Sequence, residues 1–328
     1  MKSPFTGKEM IPMMEWRKME YRKEKFDIVF HYCQCEDTGE QFEDEHCSLL
    51  NYNQVVNQYR VKHHIPFPEK IKAIRERYGL SAAKMSGILG MGANSWRNYE
   101  GGEVPSKAHA NLIQLISLSK NFTLYLQQFS ELDQKEKSTI LKRVEKLDDD
   151  CVDFDDQLLR FENQPDITTG FRSFNREKLF QVIQFFAEEL KPFKTKLNKL
   201  LFYADFVHFR DTGQSITGLK YTAIQYGPVP NNYDMLFGAL SAMDFIDIEY
   251  SMTEYGEVER IVPNPEYQFD QSKLAESEMK VIKFIANHFR STSASKIAEI
   301  SHRESAWRDN IEEKRVIPFH YAFCLETI

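Results

Sequence analysis

Residues 81–106 read SAAKMSGILGMGANSWRNYEGGEVPS. Ser81 is placed to cap a helix whose Met85, Ile88 and Leu89 share one face. Gly90-Met91-Gly92 breaks that helix with two residues that tolerate left-handed backbone. A second helix is predicted from Asn94 to Glu100, and Gly101-Gly102 ends it. Two short helices around a glycine turn form a helix-turn-helix, whose second helix can enter a DNA major groove. Trp96 and Tyr99 are expected to pack inward. Asn94 and Asn98 lie four apart on the other side, with Ser95 and Arg97 beside them. Asn can pair bidentately with adenine, and Arg can hold guanine or a phosphate. Ser81, Lys84, Asn94, Ser95, Arg97 and Asn98 are therefore the candidate DNA-binding residues. The plainer alternative is a small core helix with a solvated polar face.

The chain has 328 residues and a net charge of -7. That length suggests two or three domains. An acidic total argues against nucleic-acid binding, but the charge is unevenly spread. Residues 66–120 carry eight Lys/Arg against four Asp/Glu, whereas residues 131–166 carry twelve Asp/Glu against six Lys/Arg. A modestly basic segment beside an acidic one fits a DNA-reading module tethered to something that does not touch DNA. Five scattered cysteines suggest no disulfide framework. No apolar run reaches spanning length and no signal peptide opens the chain, so a cytoplasmic protein without membrane contact is expected.

The remaining pattern predicts a helix-dominated α+β fold. A strand over Phe26–Tyr32 runs into Cys33-Gln34-Cys35, helical character follows from Leu49 to Tyr59, and Pro66 and Pro68 mark a boundary. Ile71, Ile74 and Tyr78 give an apolar face ahead of Ser81. A further helix after Pro105-Ser106 makes four or five short helices in this module. Residues 121–150 read as one or two amphipathic helices, followed by an acidic linker through Asp148–Asp156. In residues 170–328, a helix carries Leu179, Val182, Ile183, Phe186 and Leu190. The next, Leu197–Phe209, is apolar nearly all round and so central. A strand over Tyr221–Tyr226 is closed by Gly227-Pro228-Val229-Pro230. A helix over Asn232–Leu240 and a hairpin of Phe245–Tyr250 with Val258–Val262, turning through Tyr255-Gly256, come next. Helices resume at Val281. The expected domains are thus 1–65, 66–120, a linker at 121–169, and 170–328.

Two resemblances add to this reading. The first 120 residues resemble antitoxins of the MqsA type, which join a small zinc ribbon to an Xre-type helix-turn-helix. The likeness rests on Met-Lys-x-Pro at the start, His31-Tyr32-Cys33-x-Cys35, and the run Gly90-x-Gly92-x-Asn94-x-Trp96-x-x-Tyr99-Glu100-x-Gly102. In that family an Asn and a basic residue four later read DNA. Asn94 matches the first position, but Asn98 holds the second. The family's Cys-x-x-Cys pairs are also broken, with Ser3 and Thr6 at the early positions. Cys33, Cys35 and Cys47 with His31 or His46 could supply four zinc ligands on paper. The expectation is a ribbon that keeps its fold with no cofactor, its core filled by Trp16, Phe26, Phe30 and Tyr32.

Residues 196–233 resemble the SocA-like antitoxin domain, also called Panacea. Lys199-Leu200-Leu201-Phe202-Tyr203-Ala204-Asp205 and Tyr226-Gly227-Pro228-Val229 match its two motifs in order and spacing. The resemblance implies a domain over 170–328 that neutralises a partner toxin, often encoded in an adjacent gene. Tyr203, Asp205, Tyr226, Gly227 and Pro228 are the residues it nominates for toxin binding. The two resemblances together imply a non-enzymatic type II antitoxin that represses its own operon as a homodimer on operator DNA. The alternative is a stand-alone helix-turn-helix transcription regulator whose C-terminal domain senses a ligand or partner. A metal-dependent enzyme built on the cysteines is the third. Ser301-His302 with Asp309 suggests a triad only superficially, since no nucleophile elbow or oxyanion loop accompanies it. His63-His64 reads as surface, Cys151 and Cys324 as isolated thiols, and residues 293–301 as a packing helix.

Overall fold

The structure, a computed structural model, describes residues 1–129, 132–149, 164–253, 256–264 and 266–328. The acidic stretch 153–156 and Cys151 lie outside them. The fold is helix-dominated α+β with small antiparallel sheets. It divides into two compact units, Met1–Val55 with Leu159–Ile328, and Val56–Leu158. Among the described residues, no helix is long and apolar enough to cross a membrane.

The first unit opens with a hairpin, β1 (Ile11–Tyr21) and β2 (Glu24–Gln34), in full register from Ile11↔Gln34 to Tyr21↔Glu24. Its two-residue turn, Arg22-Lys23, is left-handed at both positions, with φ of 49° and 68°. That is the geometry matching strand twist, though its usual residues are Asn and Gly. A short β3 (Gln41–Phe42) pairs with the end of β2. Beyond it the same edge of β2 is closed by side chains of α1 (Glu45–Lys62). Asn51 exchanges two bonds of 2.8 Å with the backbone of His31, and Gln54 does the same with Val29 at 3.1 and 2.8 Å. Phe26, Phe30 and Tyr32 are buried as expected, but Trp16 is 62% exposed. It sits on β1, whose side chains are almost all exposed, and so fills no ribbon core.

The second unit contains α2 (Pro68–Arg77), α3 (Ala82–Ile88), α4 (Ser95–Glu100), α5 (Lys107–Leu115), α6 (Ser119–Gln128) and α7 (Gln134–Asp149). One core joins them: Ile71, Ile74, Tyr78, Met85, Ile88, Trp96, Ile113, Phe122 and Val144. Tyr78 stacks on Phe122 at 4.1 Å and donates to the carbonyl of Ile116 at 2.6 Å. Of the two glycines in the turn, only Gly90 is left-handed, at φ 63°.

The rest of the first unit is built around α9 (Lys194–Thr212), in which every residue from Lys196 to Phe209 is buried. It is preceded by α8 (Arg176–Leu190) and stopped by Gly213 at φ 76°. Two strands, β4 (Tyr221–Ile224) and β5 (Gly227–Pro230), then form a hairpin with Ile224↔Gly227. The sequence pattern assigned 227–230 to the close of a strand; it is itself the returning strand. Its two prolines, which read as a stop, are tolerated on a strand at a sheet edge. After α10 (Tyr233–Ala242), β6 (Ile246–Thr253) pairs with β7 (Gly256–Pro263). Helices α11 (Glu276–His288), α12 (Ala294–Ser301) and α13 (Ser305–Arg308) complete the shell.

Candidate functional site

In the second unit, α3 and α4 place six nominated side chains differently. Ser81 caps α3 by accepting from the Lys84 amide at 3.2 Å, and Lys84 pairs with Glu136 at 2.8 Å. Ser95 is half-buried at the start of α4. Asn94, Arg97 and Asn98 remain exposed and together. None of the three makes a side-chain hydrogen bond among the described residues, and Asn94 begins α4 without a side-chain cap.

Behind that face the helix is tightly held. The Trp96 amide donates to Ser86 Oγ at 3.0 Å, and its indole donates to Glu100 at 2.8 Å. The Arg75 guanidinium grips the same carboxylate at 2.6 and 3.0 Å, a bidentate charge-assisted pair. Tyr99 bonds His109 at 2.6 Å. Two polar side chains on a six-residue helix, Arg97 and Asn98, and that of its N-cap Asn94 are therefore presented on a helix whose other face is fixed by a buried Trp and an ion pair. Such a rigid polar face suits readout of base edges.

In the first unit, four of the buried polar side chains of α9 are each tied to a different element. Lys196 donates to the carbonyls of Phe289 and Thr292 at 2.8 and 2.7 Å. Lys199, fully buried, donates to the Pro228 carbonyl of β5 at 2.9 Å, and burial pushes its ammonium down to about 7. Tyr203 donates to the Glu304 carboxylate at 3.2 Å and bonds Thr327 at 3.2 Å; burial and that carboxylate raise its phenol. Asp205 accepts from the amides of Ile216 and Thr217 at 2.8 Å, from the Thr217 hydroxyl at 2.5 Å and from the Tyr221 hydroxyl at 2.6 Å. A buried carboxylate is retained only with such compensation.

The other nominated residues cluster at the β4–β5 turn. Gly227 is buried at φ 99°; a Cβ there would meet Ser301 Oγ at 2.4 Å and Lys199 Cε at 2.7 Å. Tyr226, immediately before it, is 65% exposed at the tip. It borders a groove of about 1090 Å³ whose walls include Phe193, Lys194, Val258, Arg260 and Ser293. Lys194 is held there by Asp234 and Glu259, both at 2.6 Å, and Arg260 lies over the Phe193 ring at 4.3 Å. Tyr226 is thus exposed at the turn and Gly227 and Pro228 follow it into the interior, where Tyr203 and Asp205 also lie. The groove went unread in the sequence because its walls come from four distant segments. Lys199 opens the matched motif but is not among the residues that the resemblance nominates.

Cys33, Cys35 and Cys47 do not converge on one point: Cys33 and Cys47 meet, and Cys35 lies apart. Cys35 lies beside Ser3, Thr6 and Thr38, whose hydroxyls hold its thiol down at about 6; Thr6 Oγ1 is 3.5 Å from its sulfur. The backbone repeats around this group, with Gly7 N–H on Ser3 O and Gly39 N–H on Cys35 O. Two Ser/Cys-x-x-Thr-Gly loops therefore face each other, and Thr38 is a member that the cysteine spacing did not reveal. Cys33 lies instead with Asp44 and Cys47, their ligand atoms within 4.8 Å of one another. Burial, then Asp44, pushes the Cys47 thiol up to about 12, as expected of a protonated thiol bonded to a carboxylate. His46 bonds the Asp211 carbonyl at 3.0 Å, and His31 packs on Phe323 at 4.6 Å. Ser301 donates to the Ala298 carbonyl at 2.7 Å, and His302 stacks on Trp307 at 4.2 Å.

Comparison with known proteins places this geometry. Residues 197–308 match the family model described as antitoxin SocA-like, Panacea domain. The matched stretch holds Lys199, Tyr203, Asp205 and the Tyr226 turn. No curated protein matches the chain.

Proposed function

We propose that the chain is the antitoxin of a type II toxin-antitoxin system. It neutralises a partner toxin, encoded in an adjacent gene, through residues 170–328 and represses its own operon as a homodimer through residues 66–120. The observation that carries the reading is Tyr226. A large aromatic exposed at the lip of a groove, on a turn anchored from below by Lys199, has the character of a binding anchor. The match of residues 197–308 to an antitoxin family supports the choice of partner. Tyr203 and Asp205 act through the fold, by holding the elements that frame the turn. Neutralisation needs no chemical step; occupancy of the toxin suffices. The exposed Asn94, Arg97 and Asn98 support the DNA-binding half.

The test is co-expression with the adjacent reading frame. That frame should arrest growth alone and be harmless beside the full chain. Tyr226→Ala should lose rescue while keeping the native far-UV spectrum. Growth unaffected by the neighbour, or full rescue by Tyr226→Ala, would count against this reading.

A further inference from the structure

The first unit treats the two edges of its N-terminal hairpin very differently. The outer edge of β2 is closed along its length, by Phe42 of β3 and then by the amides of Asn51 and Gln54. The outer edge of β1 is not. From Ile11 to Glu20, no backbone group other than those of β2 bonds to it among the described residues. It also exposes Ile11, Met13, Met14 and Trp16. A long open edge with exposed apolar side chains among its charges can template another strand, with the charges selecting which one.

The register shows which backbone groups are offered. Val29 and His31 turn their N–H and C=O toward α1, so in the alternating antiparallel ladder their partners Trp16 and Met14 turn theirs away from β2. Trp16 is also the midpoint of the eleven-residue strand. If two copies of β1 pair antiparallel about Trp16, all eleven residues overlap. Glu15 then faces Arg17 of the other copy on one face of the sheet, twice by symmetry, and Met13 faces Met19. Trp16 faces Trp16 on the other face. Centring on Glu15, Arg17 or Lys18 instead would put like charges opposite each other.

We infer that β1 is the self-association surface of this chain, a second copy adding its β1 antiparallel about Trp16 to form one continuous sheet. This deepens the homodimeric reading above and rests on it. The experiment compares the full-length wild type with Glu15→Arg, Arg17→Glu and their equimolar mixture by sedimentation equilibrium. Wild type should be a dimer. Each single variant places like charges opposite at two positions, and its dimer dissociation constant should rise at least about tenfold. The mixture should regain wild-type affinity, because both arginines of the first variant then face the two glutamates of the second. Met14→Pro should be monomeric with an unchanged far-UV spectrum, since the N–H it removes points away from β2. A monomeric wild type would overturn both the dimer and the surface. A dimeric wild type whose variants, Met14→Pro included, dimerise equally well would overturn the surface alone.

Discussion

The ammonium of Lys199, shut off from solvent in the middle of α9, donates at 2.9 Å to the carbonyl of Pro228 in the strand that follows the Tyr226 turn. Burial lowers it from 10.5 to about 7. Unfolded, Lys199 keeps its proton up to the higher value; folded, it releases it above the lower one. Between the two the unfolded chain binds the extra proton, so native stability rises with pH across that window. Below about 7 both states are protonated and the cost of burial stays constant. Relative to Lys199→Met, wild type should therefore gain up to about 1.4 kcal/mol per pH unit above neutrality. Urea midpoints of both proteins at several pH values measure this. A difference that stays flat, or that favours the variant as pH rises, would refute it.

Gly227 leaves no room for a side chain. Its φ of 99° is unfavourable for an L-residue, and an added methyl would meet Ser301 and Lys199. Gly227→Ala should destabilise the first unit by about 2–4 kcal/mol. Chemical denaturation would show it as a lower midpoint with an unchanged slope.

Asp205 satisfies two amides and two hydroxyls at once. Asp205→Ala strands all four donors in the interior and should cost about 3–5 kcal/mol. Tyr221→Phe removes only one donor and should cost about 1–2 kcal/mol. The order of the two thermal midpoints tests whether the carboxylate is the centre of the network.

At the start of α4, Asn94 makes no cap bond and is exposed. Asn94→Ala should therefore change stability by less than about 0.5 kcal/mol. It should still reduce discrimination among operator sequences by about 1–3 kcal/mol and leave toxin rescue intact. Arg97→Ala should weaken binding across sequences and lower the salt slope by about one if it contacts a phosphate. Titrations of wild type and variants against operator and scrambled duplexes at several salt concentrations separate these effects.

The helix pair α3 and α4 was legible because its signals are local. The Ser81 cap, the Gly90 turn and the spacing of Met85, Ile88, Trp96 and Tyr99 all lie within twenty residues, and all are realised. Strand β1 was not legible. IPMMEWRKMEY does not alternate, because neither of its faces is buried, and its turn uses Arg and Lys where Asn and Gly would have announced it. The Tyr226 turn was marked by its motif, but the groove beside it depends on segments that meet only in the fold. Cysteine spacing did not reveal the group at Cys35, since hydroxyls from Ser3, Thr6 and Thr38 complete it.

The closure of β2 by Asn51 and Gln54 also makes α1 a key for the alignment of the hairpin. The two amides are three residues apart on the helix, and they meet backbone groups two residues apart on the strand, running in the opposite direction. A slip of β2 by one residue would present Ile28 and Phe30 at those positions, with their N–H and C=O turned toward β1. Both amides would then be buried with nothing to bond. A hairpin whose first strand is mostly exposed thus has its alignment keyed by a helix as well as by its own turn.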